Sequence, residues 1–249
     1  MEIKGLRIII TGAASGFGKE MALQLSKQGA NVAAIDCNEK ALIELHNSNK
    51  NITIWNCNVA DNLTVEKTIE DISLSMGTID VLINNAGIMK NAPLINILSK
   101  TDKKHPIELW ENIIAVNQNA VFYMSRSVVD KMITKRIKGL VLNVSSISAQ
   151  GNSGQTAYSA SKAAVEAMTV VWAKELGRWG IRSVAIAPGF INTAGTHKAL
   201  EEKTLEQWIE KTPLRRTGTI EEIVKTVQFI IENDFINGVV INVNGGLTL

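Results

Sequence analysis

Tyr158 and Lys162 stand four residues apart at the start of a helical pattern that runs to about Arg178. That spacing puts both side chains on one helix face. An ammonium beside a phenol favours the phenolate and draws its pKa down from about 10, which suits acid/base work near neutral pH. Such pairs are mostly plain surface contacts, so the preceding residues matter. Leu140-Val141-Leu142-Asn143-Val144 reads as a buried strand and ends in two hydroxyls, Ser145 and Ser146. Parallel sheets flanked by helices bind ligands at the carboxyl ends of their strands, so a serine there faces the same crevice as the tyrosine helix.

A second constellation lies near the N-terminus. The apolar run Ile8-Ile9-Ile10 leads into Thr11-Gly12-Ala13-Ala14-Ser15-Gly16-Phe17-Gly18 and then a helical pattern. Glycines let backbone N–H groups approach a pyrophosphate at the positive end of a helix. Asp36 ends the next apolar run, and a carboxylate about 20 residues past such a turn accepts hydrogen bonds from ribose hydroxyls and repels a 2′-phosphate. Ser15 and Cys37 occupy the places where a basic residue would bind that phosphate. The charges therefore point to NAD over NADP.

Positioning these groups requires a sheet. Leu6–Ile10, Asn31–Ile35, Ile52–Trp55, Val81–Ile83, Leu140–Val144, Ser183–Ile186 and Val239–Val243 read as strands separated by amphipathic helices. Continuous apolar strands alternating with helices imply a seven-stranded, doubly wound parallel sheet covered on both faces. The 249 residues carry no repeat or linker, so residues 1–249 are read as one α/β domain. Two polar segments interrupt the alternation, Lys90–Pro106 and Ala194–Pro213, the second read as a lid over the ligand site. Ile107–Thr134 is the longest helical pattern, ending in Lys131, Lys135, Arg136 and Lys138, which read as a solvated helix end. In the lid, Trp208 reads as an apolar anchor, and His197 as the one histidine placed to approach a substrate.

Composition narrows the functions. Hydrophobic residues make up 45% and charged residues 20%, as in ordinary globular chains. A formal net charge of +2 gives no field that would gather nucleic acid or an anionic membrane, and no apolar run is long enough to span a bilayer. Cys37 and Cys57 lack metal-site spacing and read as reduced core thiols, so a cytoplasmic protein is expected. His46, His105 and His197 share no metal-ligand spacing, so no metal is expected.

Taken in order, Thr11–Gly18, Asn84-Asn85-Ala86-Gly87, Asn117, Ser145, Tyr158, Lys162 and Pro188-Gly189 resemble the motif series of the short-chain dehydrogenase/reductase family. The resemblance covers essentially the whole chain and implies a Rossmann fold. It is strongest toward bacterial 3-oxoacyl-[acyl-carrier-protein] reductases and related 3-hydroxyacyl dehydrogenases, through Gly151–Gln155, Ala187–Ile191 and Val243–Gly246. It implies that Tyr158 is the general acid/base and that Ser145, thirteen residues before it, binds the substrate oxygen, with Ser146 a neighbour in the site. Lys162 would bind the nicotinamide ribose and depress the Tyr158 pKa. Asn117 would sit at an irregularity in its long helix and hold a water that relays protons to Lys162.

Gly12, Ser15, Gly16, Phe17, Gly18 and Asp36 would hold the dinucleotide's pyrophosphate and adenosine ribose. Asn58 and Val59 would contact adenine, and Asn85, Ala86 and Gly87 would lie along the adenosine ribose side. Pro188, Gly189, Ile191 and Thr193 would grip the nicotinamide end. Strand-end packing for Asn58, Val59 and Asn85, and a helix N-cap for Thr193, remain open as alternatives.

The implied reaction interconverts a secondary alcohol and a ketone, the substrate being a small molecule or an acyl thioester. The implied assembly is a homotetramer, with the apolar tail Gly245–Leu249 buried against another subunit. Asn96–Pro106 is longer than in the acyl-carrier reductases and is read as reshaping the crevice mouth or an oligomer contact. Two departures weigh against the biosynthetic role: Trp179 stands where those reductases carry a basic residue, and Asp36 points to NAD rather than NADP. An NADP-linked reductase of acyl carrier thioesters, or a dinucleotide-binding sensor without turnover, are the competing readings.

Overall fold

The strands form because each is a short apolar run that can be buried on both faces. A computed structural model, describing residues 1–193 and 202–249, pairs them into one parallel sheet. Its strands are β1 (Arg7–Thr11), β2 (Asn31–Asp36), β3 (Ile52–Asn56), β4 (Val81–Asn84), β5 (Leu140–Val144), β6 (Arg182–Pro188) and β7 (Val240–Val243). Their order is β3-β2-β1-β4-β5-β6-β7. Ile8 and Ile10 pack in one core layer with Leu25 and Ile223, while Ile9 packs in the other with Ile69 and Val128. The alternation follows from the two-residue period of a strand. Helices α1 (Gly16–Lys27), α2 (Glu39–Ser48) and the last helix, Ile220–Glu232, cover the first layer. Helices α3 (Asn62–Met76) and Ala120–Thr134 cover the second.

Because every strand is parallel, Thr11, Asp36, Asn84, Val144 and Pro188 all end on one edge of the sheet. The order reverses between β1 and β4, which opens a crevice there. The expected continuous helix Ile107–Thr134 is divided into α4 (Ile107–Ile114), a wide π-helical segment (Ala115–Asn119) and α5 (Ala120–Thr134). Asn117 lies in that segment, the irregularity expected of it. Wide turns of this kind disturb the regular backbone ladder and are frequent at functional sites. Helix α6 (Thr156–Leu176) carries Tyr158 and continues as a 3₁₀ turn to Trp179.

Beyond β6, α7 (Glu202–Lys211) and α8 (Ile220–Glu232) follow. The first part of the expected lid, residues 194–201 with His197, lies outside the described residues. Thr219 caps α8 through a reciprocal box with Glu222, whose carboxyl is pulled down to about 2, first by Arg216 and then by the capping N–H.

Several finer expectations change. Cys57 is buried, but Cys37 is exposed, because it lies one residue past the end of β2 where the sheet gives out. The tail's Leu247 is 3% exposed within its own chain, and its carbonyl accepts from the Asn244 amide, so its burial needs no second subunit. The basic cluster keeps its solvated character, with Lys135, Arg136 and Lys138 exposed, while Lys131 pairs with Glu70 and Lys135 donates to Ser73 of α3.

Candidate active site

The glycine turn is clamped between β1 and β4. The Thr11 hydroxyl accepts from the backbone N–H groups of Asn85 and Ala86, both at 3.0 Å. The Asn85 amide donates back to the carbonyls of Thr11 (2.9 Å) and Gly12 (3.1 Å). The strand-end alternative for Asn85 thus describes its side chain, which ties the turn together. A Cβ on Gly18 would lie 2.1 Å from the Gly12 carbonyl oxygen, so that glycine permits a close backbone approach. Gly16 differs: its φ is +52° and a Cβ there would meet nothing within 4 Å. Its open side lies beside the N-terminus of α1, where Ser15 is the N-cap and makes no side-chain cap bond.

Asp36 closes this end. Its carboxylate accepts from the N–H of Ala14 (3.0 Å) and of Asn38 (2.9 Å), which holds it beside the turn. Asn58 is exposed, its side chain accepting from the Ala60 N–H, whereas the Val59 side chain is buried in the core. An open face at a helix N-terminus with a fixed carboxylate about one strand away fits a dinucleotide, its phosphates at the turn and its ribose hydroxyls at Asp36.

The crevice widens into a cleft of about 590 Å³. Phe17, Asn85, Gly87, Ser145, Tyr158, Lys162, Pro188, Gly189, Ile191 and Thr193 all line it, so the structure brings together residues from both halves of the chain. Gly12, Ser15, Gly16, Gly18, Asp36, Asn58, Val59 and Ala86 are not among its walls. They lie in or beside the turns that follow β1, β2, β3 and β4.

Lys162 is 4% exposed, and its ammonium donates to the Val144 carbonyl at 2.8 Å, 5.7 Å from the centre of the Tyr158 ring. Loss of hydration pushes its pKa down to about 8. The Tyr158 phenol is itself raised by burial, an effect the Ser146 hydroxyl partly offsets. The expectation that Lys162 draws the phenol down is therefore not met in this state. The ammonium is engaged by a backbone carbonyl, and desolvation of the phenolate dominates.

Both serines line the cleft. The Ser145 hydroxyl donates to Glu166 (2.8 Å) and approaches the Lys162 carbonyl (3.3 Å), while the Ser146 hydroxyl accepts from the Ser148 N–H (3.1 Å) and lies close enough to Tyr158 to act on its phenol. Asn117 lies beneath the cleft, fully buried. Its side chain accepts from the Ile88 N–H (2.8 Å) and donates to the Ile88 carbonyl (2.9 Å) and the Ser161 hydroxyl (3.3 Å). It thereby ties the loop after β4 to the tyrosine helix. Gly87 completes the joint, since a Cβ there would sit 3.6 Å from the Lys162 nitrogen.

Sequence reasoning passed over Glu166, which sits one turn beyond Lys162 at the same four-residue spacing that singled out the Tyr158 pair. It also passed over Gln155 and Phe190, which line the cleft. Trp208 of α7 stacks on Phe190 with ring centres 5.1 Å apart, in keeping with the anchoring role expected of it.

Comparison with known proteins agrees with this geometry. A family model described as enoyl-(acyl carrier protein) reductase matches residues 12–248. The chain is 39% identical to the 3-oxoacyl-[acyl-carrier-protein] reductase FabG of Thermotoga maritima, over 100% of both chains. It is 34% identical to sorbitol-6-phosphate 2-dehydrogenase of Klebsiella pneumoniae, covering 100% of this chain and 98% of that one. It is 33% identical to 5-keto-D-gluconate 5-reductase of Escherichia coli K12, over 98% and 96%. Among the described residues no helix is long and apolar enough to cross a membrane. With these matches spanning the glycine turn, the tyrosine helix and the strands between them, the chain belongs to the short-chain dehydrogenase/reductase family and is an oxidoreductase of CH–OH groups.

Proposed function

We propose that the protein interconverts a secondary alcohol and a ketone with NAD(H). The observation that carries this reading is the convergence of Tyr158, Lys162 and both serines, Ser145 and Ser146, in one cleft whose wall also includes Phe17 of the glycine turn. The dinucleotide, when bound, supplies or takes up the hydride. The chain's own residues do the rest. Tyr158 gives its phenolic proton to the carbonyl oxygen during reduction and takes it back during oxidation. Its raised pKa keeps it protonated before reduction begins. Ser146 would donate a hydrogen bond to the same oxygen, while Ser145, turned to Glu166, would steady the strand end.

Lys162, with its ammonium at the base of the cleft, would meet the ribose hydroxyls nearest the ring and lower the cost of forming the phenolate. Asn117 holds the loop that carries Gly87 and Ile88 against α6. Pro188, Gly189, Ile191 and Thr193 form the wall against which the nicotinamide would be oriented. Asp36 supports NAD over NADP, since a 2′-phosphate would bring a second anion against its carboxylate.

The protein would work as a single domain with residues 194–213 as its lid. Exposed Phe122 on α5 and Val171 on α6 support assembly into a homotetramer, and a cytoplasmic location suits an NAD-linked enzyme. An NADP-linked 3-oxoacyl-[acyl-carrier-protein] reductase is the second reading, favoured by the identity to the Thermotoga relative. Oxidation of NADH and NADPH against acetoacetyl thioester, simple diketones and keto sugars separates the two. Preference for NADH supports the first. Thioester reduction confined to NADPH supports the second.

A further inference from the structure

The cleft has a polar wall that proton and hydride transfer do not use. Gln155 stands at the N-cap position of α6 but makes no side-chain cap bond. Its side chain is turned into the cleft instead, with the residue 9% exposed. Its amide nitrogen donates to the Asn91 side chain at 3.2 Å and lies 3.7 Å from the Met89 sulfur. Its amide oxygen is buried with no hydrogen-bond partner among the described residues. Buried polar atoms are almost always satisfied, so an orphan at a ligand cleft calls for a partner that arrives with the ligand. The terminal amide torsion is soft, and a small rotation presents the oxygen to a donor.

The neighbours indicate the donor. Asn91, Ser148 and Asn152 line the same cleft, and Trp208 stacked on Phe190 supplies an aromatic face. Amides and hydroxyls beside an aromatic face match a molecule with O–H groups on its edges and C–H groups on its flat side. Gln155 immediately precedes the helix whose first turn carries Tyr158, and both side chains line the one cleft. A partner of Gln155 would therefore belong to the molecule whose carbonyl meets Tyr158. The polar segment Lys90–Pro106 helps to hold this arrangement, because Ala92 forms a β-bridge with Gln155.

We propose that Gln155 is a specificity residue that accepts a hydrogen bond from a substrate hydroxyl close to the carbonyl, and that the substrate is a hydroxylated ketone of the keto-sugar or keto-polyol class. This rests on Tyr158 acting on a carbonyl in the same cleft. The test compares kcat/KM for 1-hydroxybutan-2-one and butan-2-one, with acetoacetyl thioester as a third arm, in the wild type and in Gln155→Met. The expected result is at least a tenfold wild-type preference for the hydroxy ketone. In Gln155→Met that preference disappears through a raised KM for the hydroxy ketone, and urea unfolding that matches the wild type serves as the fold control. Gln155→Asn, which withdraws the amide by one methylene, gives the same readout if the first variant does not fold.

A preference that survives both substitutions overturns the proposal, as does the absence of any preference. Thioester turnover that is preferred and insensitive to Gln155 also overturns it. If the wild type reduces neither ketone, the reading of Tyr158 fails separately, and calorimetry of D-fructose binding to the NADH-loaded protein decides. At least tenfold weaker binding by Gln155→Met supports the role of Gln155, and equal binding overturns it.

Discussion

Alanine at Gly16 and at Gly18 separates packing from ligand binding within one turn. At Gly18 an added Cβ would lie 2.1 Å from the Gly12 carbonyl oxygen and 2.6 Å from the Asn85 amide nitrogen. Real Cβ contacts stay beyond 3.0 Å, so backbone must move by about 1 Å. Overpacking of that kind costs about 1–3 kcal/mol. At Gly16 the methyl enters open space, and the cost is the left-handed φ of +52°, about 1–2 kcal/mol for an L-residue. Its methyl then projects where phosphate would approach the N-terminus of α1.

Gly16→Ala should therefore raise the Kd for NADH at least about tenfold, equivalent to about 1.4 kcal/mol, with a modest loss of stability. Gly18→Ala should lose both stability and binding. Fluorescence titration of NADH paired with urea unfolding reads both quantities. A folded Gly16→Ala protein that binds NADH as the wild type does would refute the placement of the phosphates.

Other perturbations follow from the same geometry. Ser146→Ala should lower kcat by about 10²-fold or more, as for a lost oxyanion donor, whereas Ser145→Ala should act mainly on stability; steady-state kinetics on the two variants would show the reverse order if the spacing argument were right. Asp36→Ser combined with Cys37→Arg should shift preference from NADH toward NADPH, and an unchanged Kd ratio would place selection elsewhere. Lys162 ionises near 8 in the folded chain against 10.5 ordinarily, so between those values the unfolded chain holds more protons and wild-type stability rises with pH. Lys162→Met should lack that rise in urea unfolding at pH 7.5, 8.5 and 9.5, and an identical slope in both proteins would contradict the buried ammonium.

Much of the fold was legible because strands buried on both faces leave unbroken apolar runs, and all seven lie within two residues of where those runs suggested. The site was legible as a set of positions and less so as a set of contacts. Ser145 and Ser146 show why. Ser146 has extended backbone, φ −166° and ψ 154°, and adjacent side chains on extended backbone point to opposite sides. Only one hydroxyl can face Tyr158, and counting residues cannot say which. The Lys162 ammonium is likewise placed by a carbonyl of β5 that no side-chain pattern reveals. Cys37 lies where burial depends on how far the sheet extends, a matter of one residue. The Asn117 irregularity was anticipated through family resemblance, because its apolar periodicity runs through the wide turn without a break.

The most direct test of the central claim is a single-turnover measurement of NADH oxidation with a saturating ketone in wild type and Tyr158→Phe, alongside NADH titration of both. The account predicts a rate reduced at least about 10²-fold in the variant, with Kd for NADH within about twofold of wild type. Tyr123, the chain's other tyrosine, packs against the core layer of Ile9 and Val128 and is not among the cleft's walls, so it offers no substitute. Turnover at the wild-type rate in Tyr158→Phe would contradict it.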